Sequence, residues 1–190
     1  LAGSFHGFCL HRYRCAGMIT PGGWARRNIW EHSTSLRELY ARRCRREAEE
    51  MTCHAQAALL LAPHVAAGDT VLDAGCGSGY FYHSLHGRGI PAEYWGGDAS
   101  AVLLDIGRAI LPAYGLPAER LVTVRLDDLE GMADHVVCLN VLSNIDNYHQ
   151  PLERLLCCAR KTLILRESLA AKSSYAWVLD KYLDNGCALS

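Results

Sequence analysis

Three glycines alternate with small residues directly after an acidic residue, in the run Asp73-Ala74-Gly75-Cys76-Gly77-Ser78-Gly79. Apolar residues precede this run and an apolar stripe at helical spacing begins at Tyr80, so the pattern predicts a buried strand, a tight turn and a helix. Glycine permits positive φ angles and lets a ligand approach the backbone closely. The start of a helix adds unpaired N–H groups and the positive end of its dipole. We therefore expect this turn to bind a small ligand.

The spacing of the glycines distinguishes this turn from phosphate-binding loops. The dinucleotide fingerprint is G-x-G-x-x-G, whereas here the sixth position is Tyr80. No Gly-Lys-Ser/Thr sequence follows, so the turn does not fit a P-loop either. Asp73 would also place a negative charge beside a diphosphate. The acid suits a ligand that carries positive charge, such as the sulfonium and ammonium groups of S-adenosylmethionine.

The run from Asp73 to Gly79 resembles motif I of the class I S-adenosylmethionine-dependent methyltransferases. The alternative is a glycine-rich turn in some other α/β protein. The resemblance implies an α/β fold, a Rossmann-like doubly wound domain with a mostly parallel sheet. It also implies S-adenosylmethionine as the cofactor. The motif I residues expected to bind it are Asp73, Gly75, Cys76, Gly77 and Gly79.

A second acid is placed to bind a ribose. The segment 92–98 reads as a short strand that ends in Asp98, 19 residues after Gly79. In Rossmann-type folds an acid about 20 residues beyond the glycines accepts hydrogen bonds from ribose hydroxyls. The resemblance implies this role for Asp98, with Ala99 beside it. Alternatively Asp98 caps the helix that follows, and one side chain can do both.

Two later strands end in polar residues that the resemblance assigns to the cofactor. Residues 121–126 alternate as expected near a sheet edge, and either Asp127 or Asp128 then accepts a hydrogen bond from the adenine amino group. Residues 134–140 form a nearly all-apolar strand, which is typical of a central position. Its end, Asn140, is expected to face the methionine part of the cofactor and the substrate. No proline follows Asn140, unlike in methyltransferases that act on base amines, so a small-molecule acceptor is favoured.

The C-terminal part supplies a fifth strand, residues 162–165, followed by Arg166 and Glu167. Val178 and Leu179 then belong to a stripe at helical spacing with Tyr175 and Tyr182. Class I methyltransferases usually have seven strands, of which five are visible here, so we expect the C-terminal hairpin to be absent or cut off. The fifth strand would then be an unprotected edge. We expect lower stability than a full domain, or a homodimer formed through that edge.

The segment before the first strand reads as an amphipathic helix. Ser35 and Glu38 form a capping box, and one apolar face runs from Leu36 through Tyr40 to Leu59. Its arginines either pair with glutamates on a solvated face or help to cover the cofactor site. In the second case Tyr40 or Arg43 reaches the methionine carboxylate or an acidic substrate. We expect residues 1–33 to be an N-terminal extension, partly disordered, and residues 34–190 to be the methyltransferase domain, C-terminally incomplete.

Composition limits the other possibilities. The chain has 190 residues, half of them hydrophobic, and a net charge of −1, which argues against a nucleic-acid partner. No apolar run is long enough for a membrane span. The nine cysteines are odd in number and include no C-x-x-C pair, which favours a reducing cytoplasm. The histidines show no metal-ligand spacing, so we expect no metal; His54 and His64 read as surface or packing residues.

We therefore predict S-adenosylmethionine-dependent methyl transfer to an unidentified, small-molecule acceptor. Positioning supplies much of the acceleration in such a displacement, and a general base helps when the nucleophile is an alcohol or ammonium. The candidates for that base are His149, Glu167 and Tyr40. One alternative is a non-catalytic or truncated protein that binds the cofactor. Another is a nicotinamide-dependent oxidoreductase, against which the missing third fingerprint glycine speaks.

Overall fold

A parallel five-stranded sheet forms the centre of the molecule. The computed structural model describes residues 29–145, 147–169, 171–172, 177–179 and 187–189. The strands of the sheet are β1 (Thr70–Ala74), β2 (Glu93–Asp98), β3 (Leu121–Thr123), β4 (Ala133–Leu139) and β5 (Ala159–Arg166). The helices are α1 (Ile29–His32), α2 (Thr34–Cys44), α3 (Thr52–Leu61), α4 (Phe81–His86), α5 (Ala101–Ile110) and α6 (His149–Cys158). Within these ranges, no helix is both long enough and apolar enough to cross a bilayer.

The strand order is β3-β2-β1-β4-β5, and all neighbouring strands are parallel. The predicted Rossmann-like α/β class is confirmed, as are the edge position of β3 and the inner position of β4. Strand order reverses between β1 and β4, and in open α/β sheets ligands bind outside the carboxyl ends of the strands at such a point. The glycine turn after β1 and the residues after β4 lie at this switch.

Two apolar cores cover the two faces of the sheet, which is why the inner strands are apolar on both sides. One core includes Val71 of β1 with Phe81 of α4 and Leu104 of α5. The other includes Val136 of β4 with Leu155 of α6. All five side chains are fully buried, so these helices are fixed firmly against the strands.

The segment before β1 is two helices and not one. Ser33, not the predicted Ser35, caps α2, and its hydroxyl oxygen accepts a hydrogen bond from the Leu36 N–H at 3.1 Å. The helix ends at Cys44, after which Arg46 adopts a positive φ of 62°. The single apolar face predicted through Leu59 is therefore wrong, and Leu59 is 64% exposed. Part of the predicted N-terminal extension, α1, packs on α2 and α5.

Two further strands, β6 (Trp177–Leu179) and β7 (Cys187–Leu189), pair antiparallel as a separate two-stranded sheet. The prediction of five strands in the main sheet is confirmed, and in the described ranges this separate pair does not extend that sheet beyond β5. Helical spacing misled at Val178 and Leu179, which lie in β6, while Tyr175 and Tyr182 fall outside the described residues. Short strands leave too few residues for period two to be distinguished from helical spacing. In the described ranges β5 has no neighbour on its outer side.

An ionic cluster ties the opposite end of the sheet together. Lys161 Nζ of β5 donates to Asp69 Oδ1 at 2.5 Å and lies 3.3 Å from Asp134 Oδ1. The fully buried His135 has its Nε2 3.1 Å from Asp69 Oδ2, which also accepts from the Ala66 N–H at 2.9 Å. The hydrogen bond from Lys161, more than any other contact, holds the pKa of Asp69 well below its usual value of 3.8. The cluster joins β1, β4 and β5.

We expect Asp69→Asn to lower the urea midpoint of unfolding at neutral pH. Because the pKa of Asp69 is depressed in the folded protein, its carboxylate contributes stability above the unfolded pKa of 3.8 and loses it as pH falls below that value. The deficit of the variant should therefore be the same at pH 7 and pH 5 and should shrink below about pH 4. Asp105→Asn, at an exposed ion pair with Arg108, is the control. A deficit that persists undiminished in acid would contradict this account.

Candidate functional site

A cavity of about 780 Å³ opens at the carboxyl ends of β1, β2 and β4. Its size lies within the range of about 300–1,000 Å³ typical of small-molecule sites. Most of the predicted cofactor residues line it: Asp73, Gly75, Cys76, Gly77, Asp98, Ala99, Asp127 and Asn140. Gly79 and Asp128 do not line it. The switch in strand order thus brings together acids and glycines that are far apart in the sequence.

The three glycines after β1 all adopt positive φ, at 82°, 60° and 78° for Gly75, Gly77 and Gly79. A Cβ on Gly77 would lie 2.5 Å from Cε1 of Tyr40, and one on Gly75 would collide with Val141. These two glycines let the walls of the cavity close on the turn. Gly79 instead faces the core, where a Cβ would lie 2.6 Å from Leu121. A glycine is required at position 79 by the packing of helix against sheet and not by contact with the cavity.

Asp73 is a buried acid on the cavity wall. Its carboxylate accepts a hydrogen bond from the Tyr94 hydroxyl at 2.7 Å, and the side chain is 4% exposed. Burial raises the pKa of Asp73 to about 7, and the neighbouring Asp98 adds to the rise. A buried carboxylate that is costly to ionise gains most from a cationic ligand. This wall of the cavity therefore favours a positive group.

Asp98 is held in place by the backbone around it. Its Oδ2 accepts from the Gly77 N–H and its Oδ1 accepts from the Ser100 N–H, both at 2.8 Å. Ser100, not Asp98, is the N-cap of α5. Burial raises the pKa of Asp98, while the backbone hydrogen bonds lower it. The carboxylate thus bridges the glycine turn and the end of β2, and retains acceptor capacity because each oxygen has two lone pairs.

The end of β3 offers an apolar slot with one acid. Val124 and the buried Leu126 line the cavity beside Asp127. Asp127 is half-buried and pairs with the Arg125 guanidinium at 3.3 Å. Asp128 is exposed and does not line the cavity. Of the two acids that the sequence left open, Asp127 is the one that can contact a ligand here.

Asn140 ends β4 in a left-handed conformation, with φ at 59°. Asparagine tolerates this region better than most residues. Its N–H donates to the Arg166 carbonyl at 2.8 Å, and its side-chain oxygen accepts from the Arg166 guanidinium. Asn144 donates to the Asn140 carbonyl at 2.9 Å. The bend is thus fixed by hydrogen bonds and aims Asn140 and Val141 at the cavity.

The three candidates for a general base have different surroundings. Tyr40 lines the cavity, but burial raises its pKa well above 10, so its hydroxyl is a donor. His149 is exposed, stacks on Tyr148 and does not line the cavity. Glu167 does not line it either, because its carboxylate accepts three backbone N–H groups. These belong to Val141, Leu142 and Ser143, at 2.8, 2.8 and 3.2 Å.

We expect Glu167→Gln to lower the free energy of unfolding by about 1–2 kcal/mol, because a neutral amide oxygen replaces a charged acceptor of three N–H groups. The variant should keep its affinity for a cavity ligand within a factor of about two, since Glu167 touches the cavity only through the loop it holds. Urea unfolding and calorimetric titration measure the two effects. Glu153→Gln on the exposed face of α6 is the control. Unchanged stability would show that the three hydrogen bonds to Glu167 do not stabilise the fold.

Several cavity residues were not predicted, because they come from helices whose packing the sequence does not reveal. Met51 and His54, at the start of α3, line the cavity next to Tyr80. The Tyr80 hydroxyl donates to Met51 Sδ at 2.8 Å and accepts from Arg43 Nη1 at 3.0 Å. The Arg43 guanidinium also lies 5.1 Å from the centre of the Tyr80 ring. The reading of His54 as a mere surface or packing residue missed its place on this wall.

Among the residues that the structure covers, no group of three or more His, Cys, Asp or Glu side chains is arranged to hold a metal ion. The cavity instead combines carboxylates, guanidinium groups and aromatic rings. Such a donor set suits an organic ligand that carries both a cationic and an anionic group.

Comparisons with known proteins agree with this geometry. Residues 72–162 match the model of a family described as "Methyltransferase domain". No curated protein matches significantly. Among solved structures, magnesium protoporphyrin IX methyltransferase from Synechocystis PCC 6803, with bound S-adenosylhomocysteine, is 24% identical, with a TM-score of 0.51 and 70% of each chain covered.

Two further structures share the fold at lower identity. The YcgJ protein from Bacillus subtilis is 16% identical, with a TM-score of 0.53, over 63% of this chain and 52% of that chain. The YjhP protein from E. coli is 17% identical, with a TM-score of 0.51, over 65% and 53%. The chain thus spans about half the length of these two proteins. Residues 72–162 thus match a methyltransferase domain, and the chain shares the Rossmann-like fold of these solved structures.

Proposed function

We propose that this cavity binds S-adenosylmethionine and that the protein transfers its methyl group to a small-molecule acceptor. One observation carries the proposal: the glycine turn, the buried Asp73 and the half-buried Asp98 converge on one cavity at the switch in strand order. When bound, the cofactor supplies an electrophilic methyl group on a sulfonium. The protein's own residues then have to bind, orient and exclude water, which suits a reaction driven by positioning.

The residues fit the cofactor by charge and by space. Asp98, already oriented by the Gly77 and Ser100 N–H groups, would accept from the ribose hydroxyls. Asp127 would accept from the adenine amino group, with Val124 and Leu126 against the ring. The negative potential of Asp73 would favour the ammonium and sulfonium charges. Gly75 and Gly77 leave room that any Cβ would fill.

Arg43 completes the set as the partner of the methionine carboxylate. Its guanidinium lies on the cavity wall, and the buried Nε has no hydrogen-bond partner among the residues described. The Tyr40 ring lies 5.7 Å from the guanidinium and packs on Gly77, which keeps the cation next to the turn. A guanidinium without a carboxylate partner is suited to bind one. For Arg43, this proposal adopts the second of the two interpretations that the sequence left open.

The acceptor class, the cellular location and the domain bounds are also proposals. The near-zero net charge supports a small-molecule acceptor and not a nucleic acid. The cytoplasm is the proposed location, because six cysteines of the described ranges are free and five of these six are buried. We also propose that residues 34–190 constitute the methyltransferase domain, with the preceding segment packed on it through α1.

Association of two copies through β5 is the proposed oligomeric state. The outer side of β5 is unpaired in the described ranges, and Leu165 on this strand is 41% exposed. Such an edge is a template for pairing with another chain. Sedimentation equilibrium should give twice the chain mass of 20.9 kDa. A monomer at every concentration would refute this part of the proposal.

Calorimetric titration with S-adenosylhomocysteine and with NAD tests the cofactor assignment. We expect one S-adenosylhomocysteine per chain and no heat from NAD, because a diphosphate would meet Asp73 and Asp98. Transfer of a radiolabelled methyl group from S-adenosylmethionine to a small-molecule extract tests catalysis. Binding of NAD without S-adenosylhomocysteine would overturn the proposal in favour of an oxidoreductase. Cofactor binding without transfer to any acceptor would favour a non-catalytic binding protein.

A further inference from the structure

Three side-chain nitrogens in the described part of the chain are buried without a hydrogen-bond partner, and two of them belong to residues on the cavity wall. They are Arg43 Nε and His54 Nδ1; the third, His135 Nδ1, lies at the far end of the sheet. Burying a polar group without a partner costs free energy, so such groups deserve an explanation. The proposed methionine carboxylate accounts for Arg43. Nothing in the proposed function yet accounts for His54.

The ring of His54 is fixed by aromatic packing and not by hydrogen bonds. It stacks on Tyr80 with ring centres 4.7 Å apart and 23° between planes, and it meets the Phe81 edge at 5.1 Å. The side chain is 8% exposed, and neither ring nitrogen has a partner among the described residues. The orientation of the imidazole is therefore set in advance, while its hydrogen-bonding capacity is unused.

The position of His54 lies between the two strand ends that form the site. The preceding residue, Cys53, accepts a hydrogen bond from Asn140 Nδ2 at 3.7 Å, at the end of β4. Met51 accepts from Tyr80, directly after the glycine turn. The first turn of α3 therefore spans the gap from the turn that follows β1 to the end of β4. This is the region of the cavity where the methionine end of the cofactor and the acceptor would meet.

The imidazole is kept neutral. Burial lowers the pKa of His54 to about 4, and the positive charge of Arg43 contributes in the same direction. A neutral imidazole always has one nitrogen that accepts a hydrogen bond. It can therefore accept from an O–H or N–H group and would not repel a sulfonium.

Resting on the proposed function, we propose that His54 is a catalytic residue whose neutral imidazole accepts a hydrogen bond from the acceptor's nucleophile and orients it, and that the acceptor is a hydroxyl or amine still carrying that hydrogen. The acceptor's oxygen or nitrogen forms a bond to the methyl carbon as the sulfur–carbon bond breaks. The electron pair of that bond stays on sulfur, which becomes neutral. The proton of the nucleophile is then released from the methylated product to water.

Sinefungin tests this placement without knowledge of the acceptor. In this analogue, a carbon that carries an amine replaces the methylated sulfur of S-adenosylmethionine. We expect the wild type to bind sinefungin more tightly than S-adenosylhomocysteine, since the amine can donate to His54. His54→Phe keeps the aromatic stacking but removes the acceptor nitrogen. It should weaken sinefungin about tenfold and leave S-adenosylhomocysteine within about twofold, as expected for loss of a charge-assisted hydrogen bond.

His64→Phe, at an exposed position beyond α3, is the matched control and should change neither affinity. His54→Gln retains a side-chain oxygen acceptor and should keep part of the preference for sinefungin, which makes the test independent of the folding of the phenylalanine variant. An unchanged ratio of the two affinities in His54→Phe, or an equal loss of both, refutes this proposal alone. A wild type that binds neither ligand refutes the proposed function on which it rests.

Discussion

Replacing Asp98 with alanine is expected to raise the Kd for S-adenosylhomocysteine about 100-fold, a loss of about 3 kcal/mol of binding free energy. The carboxylate is proposed to accept from both ribose hydroxyls, and hydrogen bonds to a charged group are the stronger class. Its orientation depends on the N–H groups of Gly77 and Ser100, each 2.8 Å away. Calorimetric titration at constant pH measures the change.

The control for this variant is Asp128→Ala, which removes an exposed acid outside the cavity and should leave the Kd unchanged. Asp98→Ala also leaves two backbone N–H groups without their acceptor, so its free energy of unfolding should be measured alongside. Titration well below the unfolding midpoint separates lost binding from lost folding. An affinity equal to that of the wild type would mean that the ribose lies elsewhere.

Gly77→Ala should both destabilise the protein by about 2 kcal/mol or more and weaken S-adenosylhomocysteine by at least about tenfold. A left-handed φ of 60° already costs an alanine about 1–2 kcal/mol. In addition, the new Cβ would lie 2.5 Å from Tyr40 Cε1, so the ring would have to move along the cavity wall. Urea unfolding and calorimetric titration report the two losses.

Gly89→Ala separates the conformational cost from the collision. Gly89 has nearly the same φ, 65°, but nothing lies within 4 Å of the position of its Cβ. This variant should lose about 1 kcal/mol of stability and no affinity. If Gly77→Ala behaves like Gly89→Ala in both measurements, the close approach of Tyr40 to the turn does not matter for the site.

Local patterns were enough to predict the five strands of the main sheet, the glycine turn and the acid at the end of β2. These features follow from periodicity and from the φ angles that glycine alone adopts easily, both of which are local. The break between α2 and α3 was missed because apolar residues continue at helical spacing across Arg46, whose positive φ no pattern announces. The strand at Val178 was missed because three residues do not establish a period.

The roles of single site residues depend on which elements pack together, and sequence spacing does not contain that information. Asp127 and Asp128 are equivalent in the sequence, and only the turn after β3 turns one of them to the cavity. Glu167 follows a strand that ends at the site, yet its carboxylate is taken up by the loop after β4. His54 reaches the cavity only because α3 packs against the start of α4.

The crystal structure of the chain with S-adenosylhomocysteine tests the central claim most directly. We expect the ribose hydroxyls to lie on Asp98, the adenine to lie between Val124 and Leu126 with its amino group on Asp127, and the sulfur to face the wall that carries His54. A ligand bound outside this cavity, or one whose ribose avoids Asp98 altogether, would contradict it.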